Sequence, residues 1–349
     1  MNPTPDVKTA LVLGATGGIG GEVARQLRDA GWAVRAIARR LPADPAHQHG
    51  LQWVEGDAMN ATDVHHAAAG AQVLVHAVNP PGYRRWAELV LPMIDNSIAA
   101  ARAAGARIVL PGTVYNFGPD AFPTLQEDAP QRPLTRKGAI RVALEQRLEA
   151  AAAGGVPSLI VRAGDFFGPR AGNNWFSQGL VQPGRPLRRV IDPGTRGVGH
   201  AWAYLPDVAR TMRLLIERAD RLPAFARFHF AGHWDADGTQ MVAAIRRAVL
   251  DAGGAEPKRF ALPWRALSMA APLVPLLREM REMRYLWQQP VRLDNRRLVA
   301  ELGAEPRTPL DDAVRATLLG LGCLPAASAV HGAGSATGRS EARSAGSPG

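Results

Sequence analysis

The chain has 349 residues, of which 46% are hydrophobic and 21% charged, with a mean hydropathy of -0.11. These ordinary globular values exclude a wholly disordered, collagenous or coiled-coil protein, and the length predicts about two domains or one large α/β domain with an added lobe. A single cysteine, Cys323, excludes an internal disulfide and a zinc site built on several thiolates. The formal charge of +10 comes mostly from arginine, which favours an anionic ligand.

No segment has the pattern of a signal peptide or a membrane span. Residues 1–9 lack the order of charged, apolar and small residues that export requires. The longest suspicious apolar stretch, Ser268–Leu277, is interrupted by two prolines and is far shorter than the roughly 20 residues of a transmembrane helix. We therefore expect a cytoplasmic protein without stable membrane insertion.

The first half of the chain alternates predicted strands and helices. Helical patterns follow the first strand and cover Trp86–Ala104 and Arg132–Ala153. Short apolar runs predict strands over Val7–Leu13, Trp32–Ala38, Leu51–Glu55, Val73–Val78, Arg107–Leu110 and Ser158–Arg162. This alternation predicts an α/β fold, a doubly wound parallel sheet with helices on both faces.

The second half has weaker periodicity and more loop signals. We predict a wound domain over residues 7–165 and a smaller substrate lobe over residues 166–325, interleaved with returning sheet elements. Residues 326–349 contain one large apolar residue, Val330, so they are predicted to be a disordered tail.

A glycine-rich turn lies between the first strand and the first helix. At that place bare backbone and the amides of a helix N-terminus can bind the pyrophosphate of a dinucleotide. Its spacing is GxxGxxG rather than GxGxxG, and a merely flexible turn is the alternative. The candidate cofactor-binding residues here are Gly14, Thr16, Gly17, Gly18, Ile19 and Gly20.

Residues after the next strands predict the kind of dinucleotide. Arg39, with Arg40 beside it, follows the second strand, where an arginine suits the 2′-phosphate of NADP and an acidic residue suits NAD. The alternative is a solvated basic turn. After the third and fourth strands the candidates are Asp57 with Ala58, and Val78 with Asn79. Asp57 is a candidate acceptor for the adenine amino group, and an ordinary turn aspartate at the end of a strand is the alternative. The rigid loop Asn79–Tyr83 is predicted to border the nicotinamide.

These residues and several further motifs, taken in order, resemble the extended and atypical short-chain dehydrogenase/reductases, a family that includes NAD-dependent epimerases and dehydratases. The resemblance runs from about Lys8 to Leu318 and implies an NAD(P)-binding Rossmann fold. The further motifs are Gly56-Asp57, Val114-Tyr115, Glu127-Asp128-Ala129-Pro130, Gly168-Pro169, Leu205-Pro206-Asp207-Val208-Ala209 and Glu301-Leu302-Gly303.

The catalytic pattern departs from the usual Tyr-x-x-x-Lys of that family. Lys137 stands at the tyrosine position and Arg141 at the lysine position. This is similar to the isoflavone-reductase-like branch, which implies that Lys137 is the acid/base. Burial and the positive charge of Arg141 can favour a neutral lysine. The alternative is that both residues lie on a solvated helix face.

Other catalytic candidates follow the fifth strand. Thr113 is the counterpart of the family's serine if the loop before Tyr115 is two residues shorter than in sugar epimerases; otherwise Pro111 takes that position. A hydroxyl there would orient a substrate oxygen. Tyr115 is the second candidate for the acid.

The resemblance implies a substrate pocket formed by Asn173, Asn174, Trp175 and His200. His200 stands where epimerases commonly hold an arginine, which argues against a nucleotide-sugar diphosphate. Tryptophans suit an aromatic substrate and arginines an anionic one, although tryptophans are more often core residues.

We therefore expect an NADP-preferring oxidoreductase or epimerase/dehydratase-like enzyme, with NAD as the alternative cofactor. A catalytically silent, NADP-binding redox sensor is the second hypothesis. The segment Pro263–Trp287 is predicted to cap the lobe, with a homodimer contact or an anionic membrane surface as alternatives. No motif predicts a metal site, and none predicts nucleic-acid binding.

Overall fold

The computed structural model describes residues 7–43, 50–80, 85–170, 172, 174–272 and 274–325. The strands are β1 (Thr9–Leu13), β2 (Ala33–Ala38), β3 (Gln52–Glu55), β4 (Val73–His76), β5 (Arg107–Gly112), β6 (Thr124–Leu125), β7 (Ser158–Arg162), β8 (Asp165–Phe167), β9 (Arg189–Asp192), β10 (His200–Tyr204), β11 (Phe225–His229), β12 (His233–Asp235), β13 (Lys258–Ala261) and β14 (Arg292–Leu293). The α-helices are α1 (Gly18–Asp29), α2 (Ala61–Ala68), α3 (Trp86–Ala104), α4 (Arg136–Ala153), α5 (Leu205–Ile216), α6 (Gln240–Asp251), α7 (Trp264–Ala270), α8 (Pro275–Glu282), α9 (Arg296–Leu302) and α10 (Leu310–Gly320).

The main sheet has seven parallel strands in the order β11-β7-β5-β4-β1-β2-β3. The direction of winding reverses between β1 and β4, and ligands of such sheets bind outside the carboxyl ends of the strands at that point. The predicted doubly wound parallel sheet is confirmed.

Apolar side chains alternate between the two faces of this sheet and bury a layer of helices on each. On one face, Val12 of β1 belongs to a core with Leu27 of α1 and Met212 of α5. On the other face, Leu13 belongs to a core with Ile94 of α3 and Leu148 of α4. The carboxyl ends of the strands are therefore framed by α1 on one side and by α3 and α4 on the other.

The second half contributes strands to three small sheets, β12-β10-β8, β13-β9 and β14-β6, and also supplies β11 to the edge of the main sheet. An aromatic core that includes Phe167, Phe176 and Trp287 lies among these elements. Within the described ranges, no helix is long and apolar enough to cross a membrane.

Several element boundaries differ from the prediction by one to four residues, those of α4 and β4 among them. The helix predicted from Arg132 begins at Arg136, because Pro133 precedes it and the side chain of Thr135 caps it by accepting a hydrogen bond from the Gly138 amide at 3.0 Å. The strand predicted to reach Val78 ends at His76, where its neighbour β1 has ended too. Asn173, residues 81–83 and the predicted tail lie outside the described residues.

Candidate active site

The glycine turn after β1 packs against the exit of β4. Gly14 has a φ of 87°, and a Cβ built on it would lie 2.6 Å from the Ala77 carbonyl oxygen. A Cβ on Gly20 would lie 2.3 Å from the Gly14 carbonyl oxygen, so the first turn of α1 lies directly on the glycine turn. Both distances are too short for any side chain. A merely flexible turn does not explain these contacts.

The N-terminus of α1 opens into the same place. Gly17 is its N-cap residue, no described side chain caps it, and Thr16 and Gly17 are exposed. Ile19 packs partly against the core below and so anchors the first turn. The first amides of a helix, here with that of Gly18 among them, have no carbonyl partner within the helix, a geometry that generally favours an anion.

The candidate residues after β2 are exposed, whereas those after β3 are engaged in a turn or buried. Arg39 and Arg40 directly follow β2 and are exposed. Asp57 is engaged in its own turn, since its Oδ1 accepts a hydrogen bond from the Met59 amide at 3.0 Å. The neighbouring Ala58 is buried. The turn interpretation of Asp57 therefore has structural support, whereas the arginines face solvent.

Arg141 connects α4 to the exit of β4. Its Nη2 donates a hydrogen bond to Oδ1 of Asn79 at 3.2 Å, and its guanidinium carbon lies 5.1 Å from the centre of the Trp86 ring. Val78, beside Asn79, packs partly against the core on that face. Arg141 is buried, so the alternative of a solvated helix face is wrong for it.

Lys137 lies in the first turn of α4 and is held by α8. Only 4% of its side chain is exposed. Its Nζ lies 2.5 Å from Oε2 of Glu279 and 3.0 Å from Oε2 of Glu282, and it also donates to the Glu279 carbonyl oxygen at 3.3 Å. A solvated helix face is wrong for Lys137 as well. The two carboxylates add negative charge beside Lys137, and the influence of Arg141 on this lysine stays a prediction.

Thr113 and Tyr115 lie where β5 meets the start of α4. Thr113 directly follows β5, and its Oγ1 donates a hydrogen bond to Oδ1 of Asn116 at 3.1 Å. A Cβ on Gly138, next to Lys137, would lie 2.2 Å from the Tyr115 carbonyl oxygen. The exit of β5 and the first turn of α4 are thus in direct contact. This contact brings Thr113 and Lys137 to the same edge of the sheet.

The predicted substrate residues are partly engaged in the lobe itself. The side chain of Asn174 accepts a hydrogen bond from the Ser177 amide at 2.9 Å. Trp175 lies with its ring centre 5.4 Å from that of Trp287. Nε2 of His200 lies 2.8 Å from Oδ2 of Asp165, and the His200 ring stacks on Trp287 at 3.9 Å. Asp165 and Trp287 therefore hold the His200 ring in one orientation and cover one of its faces.

The sequence model of the NAD dependent epimerase/dehydratase family matches residues 10–229, more than half of the chain. The chain belongs to the NAD dependent epimerase/dehydratase family. Family membership makes it an NAD(P)-dependent enzyme of the epimerase, dehydratase or dehydrogenase type. The resemblance seen in the sequence is confirmed at this level, and the role of Lys137 stays a prediction.

Several solved structures share the fold of this epimerase/dehydratase family member. A nucleoside-diphosphate-sugar epimerase from Pseudomonas aeruginosa is 19% identical, with a TM-score of 0.66 over 89% of this chain and 96% of that one. An L-threonine dehydrogenase from Clostridium difficile is 18% identical, with a TM-score of 0.69 over 90% and 98% of the two chains. A UDP-glucose 4-epimerase from Bifidobacterium longum, solved with NAD+ and UDP, is 14% identical, with a TM-score of 0.66 over 89% and 97%. A search of curated proteins found no match.

Sequence reasoning missed the carboxylates that hold Lys137 in this family member. Glu279 and Glu282 lie 142 and 145 residues away along the chain. Their spacing of three places both on one face of α8, which is the available sequence signal. A second signal is that the chain has only three lysines, Lys8, Lys137 and Lys258, among its 41 basic residues.

Two histidines of the main sheet, His76 and His229, are buried near arginine side chains. Nδ1 of His76 lies 2.8 Å from the Ser97 hydroxyl, and burial with the nearby charge of Arg141 lowers the pKa of His76 to about 3. At His229, burial with the charge of Arg162 lowers the pKa to about 3. Among the described residues, no three His, Cys, Asp or Glu side chains form a metal site.

These low histidine pKa values predict a loss of stability in acid. Below pH about 6.5 the unfolded chain protonates each histidine, whereas the folded chain keeps both neutral to about pH 3. Each therefore lowers the free energy of unfolding by about 1.4 kcal/mol per pH unit in that window. Urea titrations at several pH values should give a shallower slope for His76→Gln. The exposed control His66→Gln should keep the wild-type slope, and equal slopes for both would contradict the prediction.

Proposed function

We propose that the protein is an NADP-preferring carbonyl reductase of the epimerase/dehydratase family in which Lys137 donates the proton. The observation that carries the proposal is the buried Lys137 side chain, ion-paired with Glu279 and Glu282 at the start of α4. Reduction of a carbonyl group to an alcohol consumes one hydride and one proton. An ammonium ion has a proton to give, so this arrangement suits the direction of reduction.

The residues at the glycine turn fit a dinucleotide. Gly14 and Gly20 leave bare backbone where the turn meets α1, and the uncapped amides of α1 suit a pyrophosphate. Arg39 is exposed after β2 and would bind the 2′-phosphate, with Arg40 beside it. When bound, the nicotinamide supplies the hydride that reduces the substrate carbon.

The residues around Lys137 support a proton path. In the proposed step, a proton moves from Nζ of Lys137 to the substrate oxygen. Glu279 and Glu282 hold the ammonium in place. Because 22% and 24% of their side chains are exposed, they connect Lys137 to solvent, and water supplies the proton that restores the ammonium. Arg141 holds Asn79 at the exit of β4 and acts as a positioning residue.

The substrate that we propose is a small carbonyl compound with an aromatic or anionic group. Trp175 is partly exposed and its ring centre lies 5.4 Å from that of the buried Trp287, which supports an aromatic group. His200 is paired with Asp165 and stacked on Trp287, so it offers less to a diphosphate than a free arginine would. The substrate that we propose therefore differs from UDP, which the Bifidobacterium longum epimerase binds in its structure.

Removing the charge of Arg39 should separate the two cofactors. We expect Arg39→Ala to weaken NADPH binding about tenfold and to leave NADH binding within about twofold, because only NADPH carries the 2′-phosphate. Energy transfer from the tryptophans to the bound dihydronicotinamide measures both affinities. Arg315→Ala, an exposed arginine on α10, is the matched control. Tighter binding of NADH by the wild type would contradict the NADP preference.

A screen for turnover tests the reaction itself. The purified protein, with NADPH, is offered a panel of aromatic and aliphatic aldehydes and ketones, and NADPH absorbance is followed. NADPH binding without turnover of any member would favour the redox-sensor hypothesis.

The expected location of the enzyme is the cytoplasm, which cell fractionation tests. A homodimer stays a prediction, which light scattering tests.

A further inference from the structure

A chain of polar side chains runs from Thr113 at the candidate site into the core. The Thr113 hydroxyl contacts Oδ1 of Asn116 at 3.1 Å, and Nδ2 of Asn116 contacts Oε1 of Gln131 at 3.1 Å. Nε2 of Gln131 contacts Oε2 of Glu145 at 2.7 Å, and the same oxygen accepts a hydrogen bond from Nη2 of Arg162 at 2.8 Å. Three hydrogen bonds therefore connect Thr113 to Glu145, and the fourth joins Glu145 to Arg162 in a buried ion pair.

The ion pair sets the direction of every bond in this chain. A carboxylate can only accept hydrogen bonds and a guanidinium can only donate them. Because Glu145 accepts, Gln131 must turn its amide nitrogen to Glu145 and its oxygen to Asn116. Asn116 must then turn its own nitrogen to Gln131 and its oxygen to Thr113.

The same logic fixes the proton of the Thr113 hydroxyl. With the Asn116 oxygen facing it, Thr113 donates its one proton inward and presents only lone pairs to the site. A reversed hydroxyl would leave the oxygen of Asn116, a residue with 0% exposure, without this partner. Such an unpaired buried acceptor is costly, which keeps the hydroxyl in this direction.

We infer that Thr113 accepts a hydrogen bond from a hydroxyl group of the bound substrate or product and does not donate one to a carbonyl oxygen. This inference rests on the proposed function and deepens it. In the reduction, Lys137 gives its proton to the carbonyl oxygen as the carbon receives the hydride, and the new O–H then donates to Oγ1 of Thr113. The site therefore binds the alcohol more tightly than the carbonyl compound, and a substrate with a second hydroxyl beside the carbonyl gains the same contact.

The direction of the chain can be observed without any substrate. Neutron diffraction from crystals of the perdeuterated full-length protein locates the deuterium atoms. We expect the deuterium of the Thr113 hydroxyl to point at Asn116 and both amide deuteriums of Gln131 to lie on the Glu145 side. A hydroxyl deuterium that points into the site, with the amide nitrogen of Asn116 facing Thr113, overturns the inference.

A second measurement uses whichever aldehyde or ketone the turnover screen identifies, together with its alcohol. We expect Thr113→Val to weaken alcohol binding about tenfold relative to the carbonyl compound, and Thr113→Ser to keep the wild-type ratio. A ratio that Thr113→Val leaves unchanged overturns the inference, since a general loss of folding would weaken both compounds alike. If the screen finds no substrate, the proposed function fails and the neutron result alone decides the direction of the chain.

Discussion

A Lys137→Met variant is expected to lose about 10²- to 10⁴-fold in kcat while it binds NADPH as the wild type does. Methionine fills a similar volume but carries no proton to donate. It also leaves Glu279 and Glu282 without their shared cation, and both are exposed enough to be solvated. Stopped-flow measurement of hydride transfer with a substrate from the screen tests the loss, and tryptophan energy transfer tests the binding.

The small number of lysines provides a direct check of the Lys137 environment. Lys8 and Lys258 are exposed, whereas Lys137 is buried under α8. Acylation of the native protein, followed by mass spectrometry, should therefore modify Lys137 much more slowly than the other two. Equal labelling of all three would contradict the buried ion pair. Turnover that survives in Lys137→Met would contradict its role as the proton donor and would favour Tyr115.

A Glu145→Gln variant is expected to lower the free energy of unfolding by about 3–5 kcal/mol, because it leaves the buried guanidinium of Arg162 without a counter-charge. Arg162 and Glu145 have 1% and 5% of their side chains exposed, and Arg162 is the largest fully buried side chain in the part of the chain that the structure describes. Glutamine keeps the shape of glutamate, so the loss reports the charge rather than a cavity. Urea unfolding followed by circular dichroism measures it.

Glu149→Gln is the matched control on the same helix. Glu149 is an exposed residue of α4, so the same change there should stay within about 0.5 kcal/mol. A loss below about 1 kcal/mol for Glu145→Gln would mean that Arg162 finds another partner. The Glu145–Arg162 ion pair would then no longer fix the direction that we infer for the Thr113 hydroxyl.

The sheet was predictable because its signals are local. Short apolar runs bounded by glycine and charged residues define strands, and the predicted strand Ser158–Arg162 and helix Trp86–Ala104 have the bounds that the structure shows. At α4 the prediction was wrong, because the Thr135 cap makes the helix begin four residues later than the helical pattern suggests. The glycine turn was also predictable, since strand, glycines and helix are adjacent in sequence.

The partners of the candidate catalytic residues were not predictable in the same way. Lys137 was singled out by its place in a family pattern, but its environment is formed by Glu279 and Glu282 from the other half of the chain. The side chains that orient Thr113 are those of Asn116, Gln131 and Glu145, up to 32 residues away along the chain. Such contacts depend on how distant segments pack, which no local pattern encodes.

The position of β11 at the edge of the main sheet affects when the sheet can form during synthesis and how a truncated fragment behaves. It pairs with β7 along five residues, and His229 at its end meets Arg162 of β7 at 3.3 Å. A ribosome must therefore release the chain beyond residue 229 before the sheet can be completed, and until then β7 offers an open edge to other chains. A fragment that stops at residue 165 should therefore aggregate. We expect that residues 7–165 do not fold as an independent nucleotide-binding domain.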